Sequence, residues 1–476
     1  MFKKCINKVA IVILILNYIS FSACKKSNWY DVKPIKSLQI PATLKDMQAL
    51  MDYQDMSYYS PSLGEIGSDG HYISNDNYSI LSGQEKNAYT WSHSTPYENL
   101  FEWSRNNLYG AYSRIYYCNI VLEGLKKIAP GNALEQEAWK NIKGQALFHR
   151  ARSFYELAQV FSPPYNALTA KTDPSIPLRL ESDINIPSKR STVYETYEQV
   201  IGDLSLAKDL LNLENLPQSL LNQMRPTKTA VLALLARIYL TMEDYANAGK
   251  FANDCLNEYN TLLDYSTLSL ISDPPFEYLN NPEIIWIGGM NMAGFLSLDP
   301  SMLLIDSSLY NSYLPGDLRK ELYYIKDNIT GLIAFKGWYI GYSLPFTGLA
   351  SDETYLIRAE CYARTNHTDL AMKDLNDLLR TRWLKTASMT TYVDQSAVDA
   401  NDALKKILEE RKKELLLRGL RWSDLRRLNK DERFKITLTR NTTNGIFTLE
   451  PNSFKYTFPI PDDVIAITGM QQNPGW

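Results

Sequence analysis

Apolar residues recur along this chain with the period of amphipathic helices, and the clearest run lies between Thr227 and Tyr259. Val231, Leu234, Leu235 and Ile238 fall at i, i+3, i+4 and i+7, which lays an apolar stripe along a helix beginning just after Pro226. Glu243 and Asp244 break the stripe. A second stripe follows through Tyr245, Ala248, Ala252, Cys255 and Tyr259, with Asp244 placed to accept the free amide hydrogens of the new helix's first turn. The pattern predicts a helical hairpin. Ala236, Tyr239 and Ala248 give the small, aromatic, small spacing that a tetratricopeptide hairpin needs where its helices touch, and the spacing returns at Ala359, Tyr362 and Ala371, with Leu375 and Leu378 completing the second helix. The two copies lie far apart, so the chain is not a plain tandem array.

Further helical patterns run from Leu44 to Met51, Leu108 to Lys127, Trp139 to Phe161, Val193 to Leu211 and Asp402 to Arg418. In the last of these, Glu409-Glu410-Arg411-Lys412-Lys413-Glu414 reads as a solvated face with a Glu409–Lys413 pair, and Asp203 and Lys208 read as outward-facing on theirs. Two stretches lack a sustained period. From Asp55 to Pro96 the chain is rich in Ser, Asn, Gly, Asp and Tyr and reads as a long loop; Leu262 to Ala350 is broken by prolines, with short strands expected at Ile284–Ile287 and Leu332–Phe335. The expected fold class is mostly α: a scaffold of tetratricopeptide-like hairpins at about 139–260 and 351–428, and loop-rich, ligand-facing sections at about 55–100 and 262–350 with a few short strands.

Lys3, Lys4 and Lys8, the apolar run Val9 to Leu16, and Ser22-Ala23 before Cys24 form a lipoprotein-type targeting segment. Residues 1–23 are thus expected to be a signal peptide, Cys24 the lipidated N-terminus, and 24–476 a single domain. Without the three lysines of that segment, 47 basic residues face 53 acidic ones, a balance of about −6 that argues against a nucleic-acid partner. Cys118, Cys255 and Cys361 sit in helical patterns with no C-x-x-C pair and read as buried free thiols. The 32 tyrosines and 9 tryptophans suit stacking on sugar rings or other flat ligands, although most such rings serve packing.

No nucleophile elbow, phosphate-cradling loop or dinucleotide fingerprint occurs, and His71, His93, His149 and His367 show no metal-ligand spacing, so neither a metal nor a cofactor is expected. Dispersed carboxylates leave a two-carboxylate glycosidase open.

Trp29-Tyr30-Asp31-Val32-Lys33-Pro34 after the lipoprotein cysteine, the split hairpins, Leu408 to Leu415, Arg421-Trp422-x-Asp424-Leu425, Pro459-Ile460-Pro461 and the ending Gln472-Asn473-Pro474-Gly475-Trp476 together resemble the SusD/RagB family. The resemblance implies a non-enzymatic outer-membrane lipoprotein, held to the membrane by its lipid, that captures an oligosaccharide or polysaccharide as the lid of a SusC-like TonB-dependent transporter. It implies that the hairpins contact the transporter while the irregular loops hold the ligand. On that reading the ligand residues are Tyr72, Asn75, Trp91, Trp338, Tyr339 and Tyr342, with no catalytic residue. A polysaccharide-acting hydrolase on the same scaffold and a protein-interaction scaffold without small ligand stay open.

Overall fold

The computed structural model describes residues 41–104, 109–212, 223–278, 280–290, 303–342, 344–386 and 389–476. The signal peptide and Cys24 lie outside the described residues.

Helix α1 (Leu44–Met51) opens with a capping box in which Thr43 and Asp46 satisfy each other's first-turn groups. The section expected to be one long loop is instead built from short pieces: α2 (Leu63–Gly67), β1 (His71–Tyr72), α3 (Asn75–Ile80) and α4 (Gly83–Thr90). Ser74 and Ser82 cap α3 and α4, and segments of five to eight residues are too short for an apolar period to show. The long helices α5 (Ala111–Leu125) and α6 (Ala133–Phe161) follow, then β2 (Pro174–Pro177), β3 (Arg190–Thr192) and α7 (Val193–Leu210).

The first hairpin is α8 (Lys228–Thr241) and α9 (Tyr245–Glu258), with the Asp244 side chain accepting from the Asn247 amide at 3.1 Å. The irregular section contributes β4 (Ile284–Trp286), β5 (Leu304–Ile305), α10 (Ser307–Asn311), α11 (Arg319–Tyr323), β6 (Tyr324–Lys326), β7 (Ile333–Phe335) and β8 (Leu349–Ala350). β1, β5, β7 and β6 form one antiparallel sheet in that order, so the two irregular sections share a sheet, and β4 pairs with β8. The second hairpin is α12 (Ser351–Arg364) and α13 (Thr368–Arg380). β9 (Lys385–Thr386) and β10 (Met389–Thr390), α14 (Ala400–Glu414), α15 (Arg421–Leu428), the β11 (Leu438–Thr442) and β12 (Gly445–Leu449) ribbon, and α16 (Asp462–Thr468) complete the chain.

The hairpins are distant in sequence but packed together. Ala236, Leu240, Ala248 and Ala252 of the first share a buried cluster with Ile357 and Cys361 of the second. Gly249 permits the approach, since a Cβ there would stand 3.1 Å from the Cys361 Cβ. Tyr239, the aromatic of the repeat spacing, stacks on Phe251 at 5.4 Å. Small residues let the helices close up, and the ring fills the gap beside them.

Two expectations about charge are overturned. Glu410, Arg411 and Glu414 of α14 face inward: Arg319, fully buried, meets Asp317 and Glu410 at 2.6 Å and Glu414 at 3.0 Å, and Arg411 meets Asp424 at 2.8 Å. Lys413 pairs with Glu410 at i,i+3 rather than with Glu409. Asp203 is buried too, held by Arg150 at 2.8 Å. A charge run reads as solvated only when its partners are unknown, and here they come from elements 13 to about 100 residues away. Arg382 meets Glu283 and Glu414 at 2.8 and 2.7 Å, so these pairs fasten the irregular section to the C-terminal helices. Removing one member would leave a buried charge uncompensated.

Candidate functional site

Three of the rings expected to face a ligand are part of the interior. Trp91 is 1% exposed; it ends α4 in a left-handed conformation and donates its indole N–H to the Gly67 carbonyl at 3.0 Å. Trp338, 4% exposed, meets Phe335 edge-on at 5.2 Å. Tyr339, also 4% exposed, donates its hydroxyl to Glu283 and has the Arg418 guanidinium 4.1 Å over its ring. With both faces covered, none of these rings can stack on a sugar. Each is held inside because its polar atom finds a partner there or because neighbouring rings enclose it. The other three residues reach the surface: Tyr72 is half-buried on β1 opposite Leu304, Asn75 is the exposed first residue of α3, and Tyr342 is 57% exposed.

The exposed aromatic chemistry gathers about the segment Asp55–Ser60. Tyr58 is buried, and its hydroxyl is pushed up to about 12, first by burial and then by the nearby hydroxyls of Tyr278 and Tyr342. Gly341, at φ +67, lets that turn lie against the Glu277–Tyr278 backbone, where a Cβ would stand 2.3 Å from the Tyr278 nitrogen. Tyr59 joins a second group, stacking on Phe101 at 5.9 Å and meeting Tyr109 edge-on at 6.0 Å. Its φ is +65, which a bulky residue adopts only where the surroundings impose it.

Those surroundings are two arginines. From α5, Arg114 donates to the carbonyls of Tyr58 and Tyr59 at 3.2 and 3.1 Å; from α6, Arg152 donates to those of Met56 and Ser57 at 2.8 and 3.2 Å. Both meet Glu156, at 2.9 and 2.8 Å. Four consecutive carbonyls are thus fixed by charge-assisted bonds, and the rings they carry are held in place before any ligand arrives.

Around this segment, Tyr53, Tyr109 and Tyr116 are 45%, 37% and 41% exposed. Tyr117 links Tyr53 to Tyr116, with ring centroids 6.2 and 5.9 Å away. Asp55 sits among them with the Tyr53 hydroxyl against its carboxylate, and burial raises its carboxyl above the ordinary value. Tyr116 also borders a cleft of about 650 Å³, between α5, residues 177–188 and α16, that is lined by Trp103, Tyr112, Asn99, Asn119 and Arg179. Trp103 and Tyr112 pack there at 4.8 Å. The arrangement offers flat apolar faces edged by hydroxyls and amides, on a rigid support. A second cleft, of about 550 Å³, lies beside Phe454 and Arg426, where Arg426 donates to the Gln159 and Ser162 carbonyls at the end of α6.

Tyr53, Tyr59, Phe101, Tyr109 and Tyr116 escaped the sequence reading because no local pattern separates a surface ring from a core ring. The one available signal was the density of tyrosines from Tyr109 to Tyr117 at the start of a helix. Among the described residues, no group of three or more His, Cys, Asp or Glu stands close enough to hold a metal, and no helix is long and apolar enough to cross a membrane.

Comparison with known proteins bears on this geometry. Residues 28–240 match a SusD-like family profile described as "Starch-binding associating with outer membrane", and residues 352–476 match the profile of the SusD family. SusD-like protein P2 of Formosa agariphila is 26% identical over 166 residues, a match that takes in 32% of this chain and 29% of that relative's length. Among solved structures, a SusD superfamily protein of Bacteroides thetaiotaomicron shares the fold with a TM-score of 0.69 at 22% identity, covering 91% of this chain and 100% of the other. Surface glycan-binding protein A of Bacteroides fluxus gives 0.65 at 19% identity, covering 92% and 100%. The two profiles take in the ring surface between α1 and α5, the first helix of the first hairpin and the second hairpin, and the chain belongs to the SusD/RagB family.

Proposed function

We propose that this chain is a non-enzymatic, lipid-anchored protein of the outer membrane that holds an oligosaccharide or polysaccharide and delivers it to a SusC-like TonB-dependent transporter. The observation that carries the reading is the tyrosine surface about Asp55–Ser60, in which the part-exposed rings of Tyr53, Tyr109 and Tyr116 flank a backbone segment fixed by Arg114 and Arg152. A tyrosine ring presents an apolar face to the C–H side of a sugar and a hydroxyl to its rim, so a row of them binds a chain of sugars without moving. Names of relatives support the class of ligand: a surface glycan-binding protein shares the fold. Tyr72, Asn75 and Tyr342 remain as outlying contacts, and Cys24 as the site of the anchor.

Affinity electrophoresis of the purified protein through gels carrying single polysaccharides tests this. At least one polysaccharide is expected to retard the wild type, and a Tyr109→Ala, Tyr116→Ala double variant is expected to run as in a blank gel with its melting temperature unchanged. Equal retardation of the variant would move the site elsewhere, and release of reducing ends from the retarding glycan would make the protein a hydrolase.

A further inference from the structure

At Tyr116 the ring surface continues into the cleft of about 650 Å³ between α5, residues 177–188 and α16. What that cleft can hold follows from how its polar groups are used. Tyr112 donates its hydroxyl to the Pro177 carbonyl at 2.8 Å. Asn119 donates to the Arg179 and Glu181 carbonyls at 2.9 and 3.1 Å and accepts from Arg150 at 3.0 Å. Arg179 donates to the Asp183 and Ile186 carbonyls and to the Ser188 hydroxyl, and Asp463 accepts from the Asn99 and Val464 amides at 2.9 and 3.0 Å. These groups hold the walls together, and of the charged side chains lining the cleft only Glu181 is exposed. The apolar lining is used in the opposite way. Ile184, from one wall, is 78% exposed, and Ile467, from α16, is 85% exposed. A single surface isoleucine calls for no explanation, but two that line one cleft leave apolar surface for a ligand to cover.

We infer that this cleft receives an ester-linked aromatic acyl group carried by the glycan, so that the protein prefers acylated polysaccharides to their bare parents. The inference rests on reading the tyrosine surface as the carbohydrate site: a sugar stacked on Tyr116 lies beside the cleft, and an ester on one of its hydroxyls can enter. A bare sugar placed in the cleft would give up water for walls whose donors and acceptors are already engaged. An aryl group gives up only unfavourable hydration there and gains contact with the isoleucines. Trp103, Tyr112 and Tyr116 all line the cleft, so a flat ring matches its walls, and the volume is that of a small-molecule pocket, far more than an acetyl group would fill.

The test takes a polysaccharide that retards the protein and compares it with the same polysaccharide lightly esterified with cinnamoyl groups. The proteins are wild type, an Ile184→Gln, Ile467→Gln double variant, and a Tyr53→Ala, Tyr109→Ala double variant whose lost rings stand outside the cleft. Melting temperature and sedimentation are followed alongside. The wild type is expected to bind the esterified form at least about tenfold more tightly, the gain from covering one apolar group. The isoleucine variant, altered only at exposed positions, should melt as the wild type does and bind both forms with the wild type's affinity for the bare one. The inference is overturned if the wild type binds the ester equally or less well, or if the isoleucine variant keeps the gain. Self-association of the wild type that the isoleucine variant abolishes would assign the cleft to a second copy of the chain and also overturn it. Undiminished binding of the bare polysaccharide by the Tyr53→Ala, Tyr109→Ala variant, or retardation by no polysaccharide at all, would overturn the ring-surface reading itself, and this inference with it.

Discussion

The hairpin scaffold and the ring-bearing sections put their aromatic residues to different use. In the hairpins the position of each ring follows from local spacing: Tyr239 lies three residues after Ala236 and stacks on Phe251, between helices brought together by Ala248 and Gly249. In the irregular sections, rings that look alike in sequence part company. Trp91, Trp338 and Tyr339 go to the interior, while Tyr278 and Tyr342 stay at the surface. Whether a ring packs or binds is decided there by what lies over it in space, and its neighbours come from distant parts of the chain. Periodicity thus identifies framework, and only tertiary structure identifies a binding face.

The contrast can be broken most sharply at the buried charges and the buried rings. Arg319→Met is expected to destabilise by about 3–5 kcal/mol in urea unfolding, because Asp317, Glu410 and Glu414 would be left facing one another. Trp91→Ala is expected to destabilise by a similar ~3–5 kcal/mol as a core truncation, whereas Tyr116→Ala should fall within about 0.5 kcal/mol of wild type. If Trp91→Ala instead leaves stability intact and abolishes glycan retention, the boundary between framework and binding face has been drawn wrongly.

Glu65 sharpens the comparison by pH. It is buried beside the Gly419 amide, which donates to it at 3.0 Å, and burial lifts its carboxyl from 4.5 to about 7. Between those values the folded protein holds a proton that the unfolded chain has released, so Glu65 makes the fold less stable as pH rises from 4.5 to 7 and adds no further change above that. Thermal melts across this window should show Glu65→Gln gaining on the wild type by on the order of 3 kcal/mol toward neutral pH. A constant difference between the two proteins would mean that Glu65 titrates normally.

Within the scaffold, Ala248→Leu should overpack the hairpin contact and destabilise by about 1–3 kcal/mol while sparing glycan binding. The smallest effect is expected on the outer face. Lys250→Ala removes an exposed i,i+4 pair with Asp254 and should change stability by less than about 0.5 kcal/mol.

Much of the framework was legible in the sequence. The stripes from Val231 to Ile238 and from Tyr245 to Tyr259, the cap at Asp244, the repeat at Ala359 and Ala371, and the strands at 284–287 and 332–335 all appear within a few residues of where the pattern put them. Local rules sufficed because each element is set by contacts three or four residues apart, or by a cap. The inward turn of Glu410, Arg411 and Glu414 was hidden, since the charges that compensate them come from Asp317–Arg319, Arg382 and Asp424. The site was less legible still. The irregular sections contribute the half-buried Tyr59 and the exposed Tyr342, and the strained backbone of Tyr59 and the arginines that fix its segment join residues about 55 and 95 positions apart.

The most direct test of the central claim is amide hydrogen exchange with and without a polysaccharide that retards the protein. The account predicts new protection at residues 53–60 and 109–117 and none in the helices 228–258 and 351–380. Protection confined to those hairpins, with the tyrosine segments exchanging as before, would contradict it.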